Sequence, residues 1–319
     1  MSDLPKSVEF HEEGPREGFQ IESKVYPAAE RAALIDALSQ SRLPQIQVGS
    51  FVNPRAVPGM ADTPAVFEAL TRAPGIAYTA LWLNEKGFRR AADMPGITLN
   101  GTLMFYTTDR FSLRNNNCTA AEMRDRQRRM LAVYDEYGVP LVAANIITAF
   151  GCSYEGEVPL SRVTGIVDHI VDLCRETGRK LPVIYLADTV GRANPEEVRR
   201  RIGAVRDRVP EAEIGVHLHD TRGLGGANLY AALQMGVRYI DSSIAGLGGC
   251  PFARHGNAQG AGNICTEDMV FMCEEMGIAT GIDLDALIEA AQLAERIIGR
   301  RLTGKIMHYG RPARLEDRA

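Results

Sequence analysis

The feature that most constrains the fold is a regular alternation of strand-like and helix-like segments along the whole chain. Eight segments have the apolar and β-branched composition that is typical of short buried strands, and helical patterns separate them. The strand candidates are 6–13, 44–51, 76–82, 101–106, 141–148, 182–188, 213–219 and 237–243. Such alternation implies parallel strands joined by crossover helices, and eight strands is the number found in an α/β barrel.

The sequence predicts an α/β protein with a (β/α)8 TIM barrel, built as a single domain over residues 1–319. No linker or low-complexity tract interrupts the alternation, and no GxGxxG motif follows an early strand, as a doubly wound nucleotide-binding sheet would require. The clearest helix starts near Asn194, a capping residue followed by Pro195. A further helix is predicted over 27–41. About 75 residues follow the eighth strand, so we expect a long loop and a C-terminal helical extension at about 265–310.

Composition limits the possible binding partners and indicates the cellular compartment. A net charge of -4 and a pI near 5.9 give no electrostatic reason to expect nucleic acid or a membrane surface as partner. The six cysteines have no CxxC spacing, which argues against a disulfide framework and a structural zinc site. The first residues lack the pattern of a secretory leader. We therefore expect a cytoplasmic protein that is not processed.

Polar residues gather where the predicted strands end, which is where barrel enzymes carry their chemistry. In the segment GPREG, Gly14 and Pro15 are expected to end the first strand in a tight turn and deliver an arginine and a carboxylate to the barrel mouth. Other strand ends carry further polar groups. The residues concerned are Arg16, Glu17, Gln47, Ser50, Asp188, His217, His219, Asp220, Cys250 and Asn263.

The segment HLHD is the centre of this predicted site. His217 and His219 lie two positions apart, so in a strand their imidazoles point to the same face. Imidazoles combined with oxygen ligands suit Mg²⁺, Mn²⁺ or a similar divalent ion. The alternative is that the two histidines line the barrel and only form hydrogen bonds with neighbouring carboxylates.

Cys250 differs from the other cysteines because it lies in a glycine-rich loop between the eighth strand and the C-terminal helices. Gly248 and Gly249 precede it and would act as hinge positions of a flap that brings the thiol to a ligand, where it can act as acid or base. The alternative is a loop that only covers the barrel mouth. Cysteines elsewhere in the chain are expected to be small buried hydrophobic residues.

Several motifs in consistent order resemble the 3-hydroxy-3-methylglutaryl-CoA lyases, a family within the metal-dependent lyases and synthases on TIM barrels. The match runs from about residue 6 to about residue 300. It includes GPREGFQIE, GSFVNPRAVPGMADT, FGCSYEG, LADTVG, VHLHDT and DSSIAGLGGCPFA. The resemblance implies retro-Claisen cleavage of an acyl-CoA thioester into acetyl-CoA and a keto acid, acetoacetate in the namesake reaction.

The resemblance also implies roles for the residues that match its motifs. The divalent ion would be held by Glu17, His217, His219 and Asn263. Arg16 would stabilise the enolate oxygen, Cys250 would take part in proton transfer, and Asp188 would be an acid, a base or a positioning group. The substrate pocket, for an acyl-CoA thioester or a related hydroxy acid, would include Gln47, Ser50, Tyr154, Tyr185, Gly248 and Gly249.

The chain departs from the family pattern at three positions in this region. Glu17 stands where the family has Asp, Gln47 where it usually has Glu, and Tyr185 where it prefers a small residue. We expect Tyr185 to fill substrate space and Gln47 to remove a charge near Arg16. The changes favour an active lyase with a related substrate.

Two other functions stay open at this stage. One is a Claisen-type synthase or aldolase of the same group, and the other is a non-catalytic metal-binding barrel. The apolar pattern of 284–298 fits either the core or the face of a homodimer.

Overall fold

The computed structural model describes residues 4–249 and 262–312 of the chain. Eight strands form one sheet in which every paired neighbour is parallel. They are β1 (Glu9–Glu12), β2 (Gln45–Ser50), β3 (Ala77–Leu81), β4 (Gly101–Tyr106), β5 (Leu141–Ile147), β6 (Val183–Ala187), β7 (Ile214–His217) and β8 (Tyr239–Ser242). Each falls inside one of the predicted strand segments.

The spatial order is β3, β2, β1, β8, β7, β6, β5, β4, so the sheet curls into a TIM-barrel-like fold. Within the described ranges no ladder pairs β3 with β4, and this gap forms a seam. Residues just before β4 reach across it: Thr98 N donates to the Tyr78 carbonyl of β3 over 2.7 Å, and Asn100 Nδ2 donates to Gln45 Oε1 of β2 over 3.1 Å. The predicted α/β barrel is confirmed, with a seam between its third and fourth strands.

Helices follow the strands and cover the outside of the sheet. They are α1 (Gly14–Ile21), α2 (Ala28–Gln40), α3 (Thr63–Ala69), α4 (Glu85–Ala92), α5 (Asp109–Asn116), α6 (Ala120–Glu136), α7 (Leu160–Glu176), α8 (Pro195–Arg208), α9 (Gly225–Gln234), α10 (Thr266–Glu275), α11 (Leu284–Ile298) and α12 (Ile306–Tyr309). Asn194 caps α8 as predicted, since its side chain accepts a hydrogen bond from Glu197 N. None of the described helices is long and apolar enough to cross a membrane.

The segment after β1 is a helix, and the expected tight turn is wrong. Gly14 and Pro15 open α1, where proline suits the first turn because its missing N–H needs no partner there. Glu17 lies in the same first turn, at the positive end of the helix dipole. Arg16 and Glu17 are therefore presented by a rigid helix at the barrel mouth.

The C-terminal helices α10 and α11 pack against the segment after β8, and α12 packs against both of them. In α11 the apolar stripe of Leu284, Leu287, Ala290, Ala291 and Ala294 is buried within the chain, and the helix packs against α2. The apolar pattern of 284–298 is therefore core. It gives no support to a dimer face.

Candidate active site and metal centre

Glu12 fixes the position of α1 over the barrel. Its buried carboxylate accepts hydrogen bonds from Gly14 N over 2.7 Å and from Ile244 N over 2.8 Å, through Oε1 in both cases. Thr266 Oγ1 donates to Oε2 over 2.5 Å. Burial raises the pKa of Glu12 to about 7. One side chain thus joins β1, α1, the loop after β8 and α10.

Three candidate ligand residues converge above the barrel, one from α1 and two from the end of β7. Ligand atoms of Glu17, His217 and His219 all lie within 4.8 Å of one another. Glu17 Oε1 is 3.7 Å from His217 Nε2, and its Oε2 is 3.9 Å from His219 Nε2. His219 lies beyond the end of β7, in a bridge with Asn263, yet its ring centroid is 5.2 Å from that of His217. The predicted convergence of the two imidazoles is present.

Asn263 adds an amide to this cluster. Its Nδ2 donates a hydrogen bond of 2.6 Å to Glu17 Oε2. Its Oδ1 is buried without a hydrogen-bond partner, and so are both ring nitrogens of His219. Buried polar atoms are almost always paired, so orphaned atoms of this kind mark a place for a ligand. Two imidazoles, a carboxylate and an amide oxygen form a donor set that fits a divalent metal ion.

Burial and neighbouring charges act in opposite directions on the pKa values of the cluster. Burial raises the pKa of Glu17, but Arg16 and the two histidines outweigh it and hold that pKa well below its usual range. Burial lowers the pKa of His217, while Glu17 and Asp241 together raise it to about 9. A metal ion needs the neutral imidazole, so binding at His217 must displace a proton.

Asp241, which the sequence analysis did not single out, supports His217 from behind. Its Oδ2 is 3.2 Å from His217 Nδ1, which leaves Nε2 free to face the cluster. Its Oδ1 is 3.4 Å from His11 Nδ1, and the His11 Nε2 is 2.9 Å from Glu9 Oε1. Carboxylates behind ligating histidines fix the tautomer and the ring orientation. Side chains of a strand alternate between its two faces, and this alternation places Asp241 of β8 inside the barrel. It is the signal that could have identified this residue.

Asp188 follows β6 directly and is almost fully buried. Its Oδ1 accepts hydrogen bonds from the backbone N–H groups of Arg192 at 2.7 Å and Ala193 at 3.0 Å, while Oδ2 has no partner. Burial raises the pKa of Asp188 to about 6, against the opposing effect of His219. This geometry gives a carboxylate with one oxygen fixed and the other available to exchange a proton near neutral pH.

Arg16 is held by acceptors on three sides. Its Nη1 is 2.9 Å from Glu17 Oε1, its Nη2 donates to Glu13 Oε2 over 2.5 Å, and its Nε donates to Gln47 Oε1. Glu13 was not among the predicted site residues. It supplies a carboxylate beside Arg16, so this arginine has a charged partner there in addition to the neutral amide of Gln47. The sequence HEEG contains two adjacent glutamates, Glu12 and Glu13, and this repetition was the only signal for a second carboxylate near Arg16. The alternation of side chains in a strand does not say which of the two faces the site.

Gly248 lies directly against the cluster. Its φ of +92° is in the left-handed region, and a Cβ there would be 2.7 Å from Glu17 Cβ and 3.1 Å from Asn263 Nδ2. Only glycine allows so close an approach. Gly249 also has a positive φ, of +116°. Cys250, the predicted proton-transfer residue, lies outside the described residues.

The remaining predicted pocket residues lie at different depths of the barrel. Ser50 ends β2, and its buried Oγ has no hydrogen-bond partner. Tyr154 lies in the loop after β5, where its ring centroid is 6.2 Å from that of Phe111. Tyr185 lies on β6, one layer below the residue that pairs with His217, and its hydroxyl is 3.1 Å from His11 Nδ1. A substrate contact stays a prediction for all three.

Comparison with known proteins agrees with this geometry. The family model described as HMGL-like matches residues 7–294. The chain belongs to the HMGL-like family. The mitochondrial hydroxymethylglutaryl-CoA lyase of Mus musculus is 36% identical over 309 residues, which cover 96% of this chain and 90% of that protein.

Solved structures of the HMGL-like family superpose on the whole molecule. The hydroxymethylglutaryl-CoA lyase of Pseudomonas aeruginosa gives a TM-score of 0.87 at 34% identity, covering 96% of this chain and 98% of that chain. An HMG-CoA lyase from Acinetobacter baumannii, in complex with coenzyme A and 3-methylmalate, gives a TM-score of 0.86 at 36% identity and covers 97% of each chain. The family resemblance predicted from the motifs is confirmed.

Proposed function

We propose that the protein is a divalent-metal-dependent carbon–carbon lyase that cleaves 3-hydroxy-3-methylglutaryl-CoA, or a closely related thioester, to acetyl-CoA and a keto acid. The keto acid is acetoacetate for the first of these substrates. Membership of the HMGL-like family supports the reaction class. The observation that carries the proposal is the position of Arg16, which lies in direct contact with the carboxylate of the Glu17, His217 and His219 cluster.

The reaction needs a base for a tertiary hydroxyl proton, a Lewis acid for its oxygen, and a cation for the thioester enolate. A divalent ion held by Glu17, His217, His219 and Asn263 supplies the Lewis acid when bound. Asp188 takes the hydroxyl proton through its unpartnered oxygen, at a pKa suited to neutral pH. The electron pair of the broken carbon–carbon bond becomes the enolate.

Arg16 stabilises the negative charge that develops on the thioester oxygen. A guanidinium held on three sides needs little reorganisation when the charge appears, which is what electrostatic stabilisation requires. The proton that completes acetyl-CoA comes from the thiol of Cys250. The relative from Acinetobacter baumannii was crystallised with coenzyme A and 3-methylmalate, which supports an acyl-CoA thioester as the substrate class here.

The test is acetyl-CoA release from 3-hydroxy-3-methylglutaryl-CoA by the purified protein, with Mg²⁺, with Mn²⁺ and with EDTA. We expect turnover that EDTA abolishes, and a loss of about 100- to 1,000-fold in kcat for Arg16→Gln. Arg175→Gln, a change at an exposed arginine of α7, is the matched control and should keep its activity. Formation of a hydroxyacyl-CoA from acetyl-CoA and a keto acid, without cleavage, would favour the synthase. Metal binding without cleavage of this thioester would call for a panel with other substituents on the hydroxyl-bearing carbon, and inactivity on the whole panel would favour a non-catalytic barrel.

Three finer predictions belong to this proposal. The ion is Mg²⁺ or Mn²⁺, because the ligands combine imidazole with oxygen and include no thiolate among those proposed. The protein is expected in the cytoplasm, and a homodimer would have to form through a face other than the buried stripe of α11. Metal analysis, cell fractionation and sedimentation test them in turn.

A further inference from the structure

Glu13, Gln47 and Arg16 form a closed ring of three hydrogen bonds beside the metal centre. Arg16 donates twice, from Nη2 to Glu13 Oε2 over 2.5 Å and from Nε to Gln47 Oε1. Gln47 Nε2 closes the ring by donating to Glu13 Oε1 over 3.1 Å. The side chains of Arg16 and Glu13 are only 12% and 6% exposed, so water cannot replace a missing partner at little cost.

All three hydrogen bonds of the ring can form only if positions 13 and 47 carry one carboxylate and one amide. Arg16 uses one acceptor atom on each of them, and the third bond then needs a donor on one side and an acceptor on the other. Two glutamates would oppose two carboxylate oxygens across the 3.1 Å contact. Two glutamines would oppose two N–H₂ groups instead. Either mismatch leaves buried polar groups unpaired.

We propose that Glu13 is the positioning residue that aims Arg16, and that Gln47 is the amide that Glu13 requires. This inference rests on the proposed function in assigning catalysis to Arg16. The charge-assisted hydrogen bonds that Nε and Nη2 donate fix the plane of the guanidinium, while Nη1 reaches Glu17 of the metal cluster. The ring also gives a physical reason for glutamine at position 47, where the family resemblance leads one to expect glutamate.

The same matching of donors with acceptors predicts that the two side chains can exchange places. In the double variant Glu13→Gln with Gln47→Glu, the amide now at position 13 accepts from Nη2 and donates to the carboxylate now at position 47. That carboxylate also accepts from Nε, so every donor again meets an acceptor. Each single variant breaks one of these matches. The charge of the ring is the same in the wild type and in the double variant.

The experiment is a double-mutant cycle on the full chain, read by both catalysis and unfolding. We expect each single variant to lose about 10- to 100-fold in kcat, because small misplacements of a catalytic group have effects of that size. The double variant should return to within about fivefold of the wild type. Glu68→Gln and Gln40→Glu change exposed residues of α3 and α2, and serve as controls that should leave kcat unchanged.

Urea unfolding of the same proteins separates this inference from the proposed function. Each single variant should lower the midpoint, and the double variant should recover most of that loss. Strictly additive changes in the midpoint would overturn the ring, whatever the catalytic result. Coupled midpoints with a wild type that cleaves neither 3-hydroxy-3-methylglutaryl-CoA nor a panel of related hydroxyacyl-CoA thioesters would uphold the ring and refute the function. Additive losses in kcat with coupled midpoints would overturn the positioning role.

Discussion

Asp241→Asn tests whether the carboxylate behind His217 prepares the metal centre. The change keeps the size of the side chain and removes the charge that lies 3.2 Å from His217 Nδ1 and 3.4 Å from His11 Nδ1. Asp241 is 13% exposed, so solvent does not take over its role. Loss of such a supporting carboxylate lowers metal affinity by about 10- to 100-fold, which corresponds to about 1.4–2.8 kcal/mol.

The direction of the effect follows from the state that the metal needs. Asp241 orients the imidazole of His217 so that Nε2 faces Glu17, which lies 3.7 Å away. An asparagine can still contact Nδ1, but it neither increases the basicity of the ring nor balances the charge of the ion. We therefore expect a weaker complex with an unchanged number of sites.

The assay is calorimetric titration of Mn²⁺ into the metal-free protein, with thermal unfolding as a check on the fold. Asp172→Asn, a change at an exposed carboxylate on α7, is the matched control and should bind Mn²⁺ like the wild type. If Asp241→Asn were folded and bound Mn²⁺ within twofold of the wild type, the support of His217 by this carboxylate would be refuted.

Two more predictions concern residues around the cluster. Gly248→Ala should lose about 1–2 kcal/mol of stability and also bind Mn²⁺ more weakly, since its Cβ would press on Glu17. Gly223 has a φ of +73° and open space around it, so Gly223→Ala should lose stability but bind Mn²⁺ like the wild type. Equal Mn²⁺ binding by the two variants would contradict this explanation. Glu267 is fully buried, and burial raises its pKa from 4.5 to about 8, so its contribution to stability is full below pH 4.5 and is lost as the pH rises through 8. In urea unfolding, the free energy of unfolding of the wild type should fall by an amount of the order of 3 kcal/mol between pH 5.5 and pH 8, and that of Glu267→Gln should not. Identical pH dependence of the two proteins would argue against the raised pKa of Glu267.

The strands were predictable because each combines apolar composition with a short length between turn or helix signals. Helix α1 was not, since Gly14 followed by Pro15 is typical of both a turn and the first turn of a helix. Tertiary packing decided between them. A Cβ at Gly18 would lie 2.8 Å from Leu247 Cβ, so the helix lies directly against the loop after β8.

The metal ligands could be predicted by type but their supports could not. Histidine, carboxylate and amide at strand ends indicate a cation site, and the motif resemblance selected the same residues that the structure brings together. Glu13 escaped notice because nothing in its local sequence distinguishes a buried glutamate from an exposed one, and the alternation of β8 could place Asp241 inside the barrel but could not name its partners. Their roles depend on the partners that they face across the barrel.

The sequence by itself determined the alternation of eight strands with helices, the family, and the chemical types that gather at the strand ends. Local periodicity and composition carry that information, because each strand or helix is specified by neighbouring residues. Only the tertiary structure decided which groups are paired and which stay free. Asn263 meets Glu17 across 246 residues of chain, and Gln47 meets Glu13 across 34. Such contacts depend on how the strands pair and how the sheet curls, which no local pattern specifies.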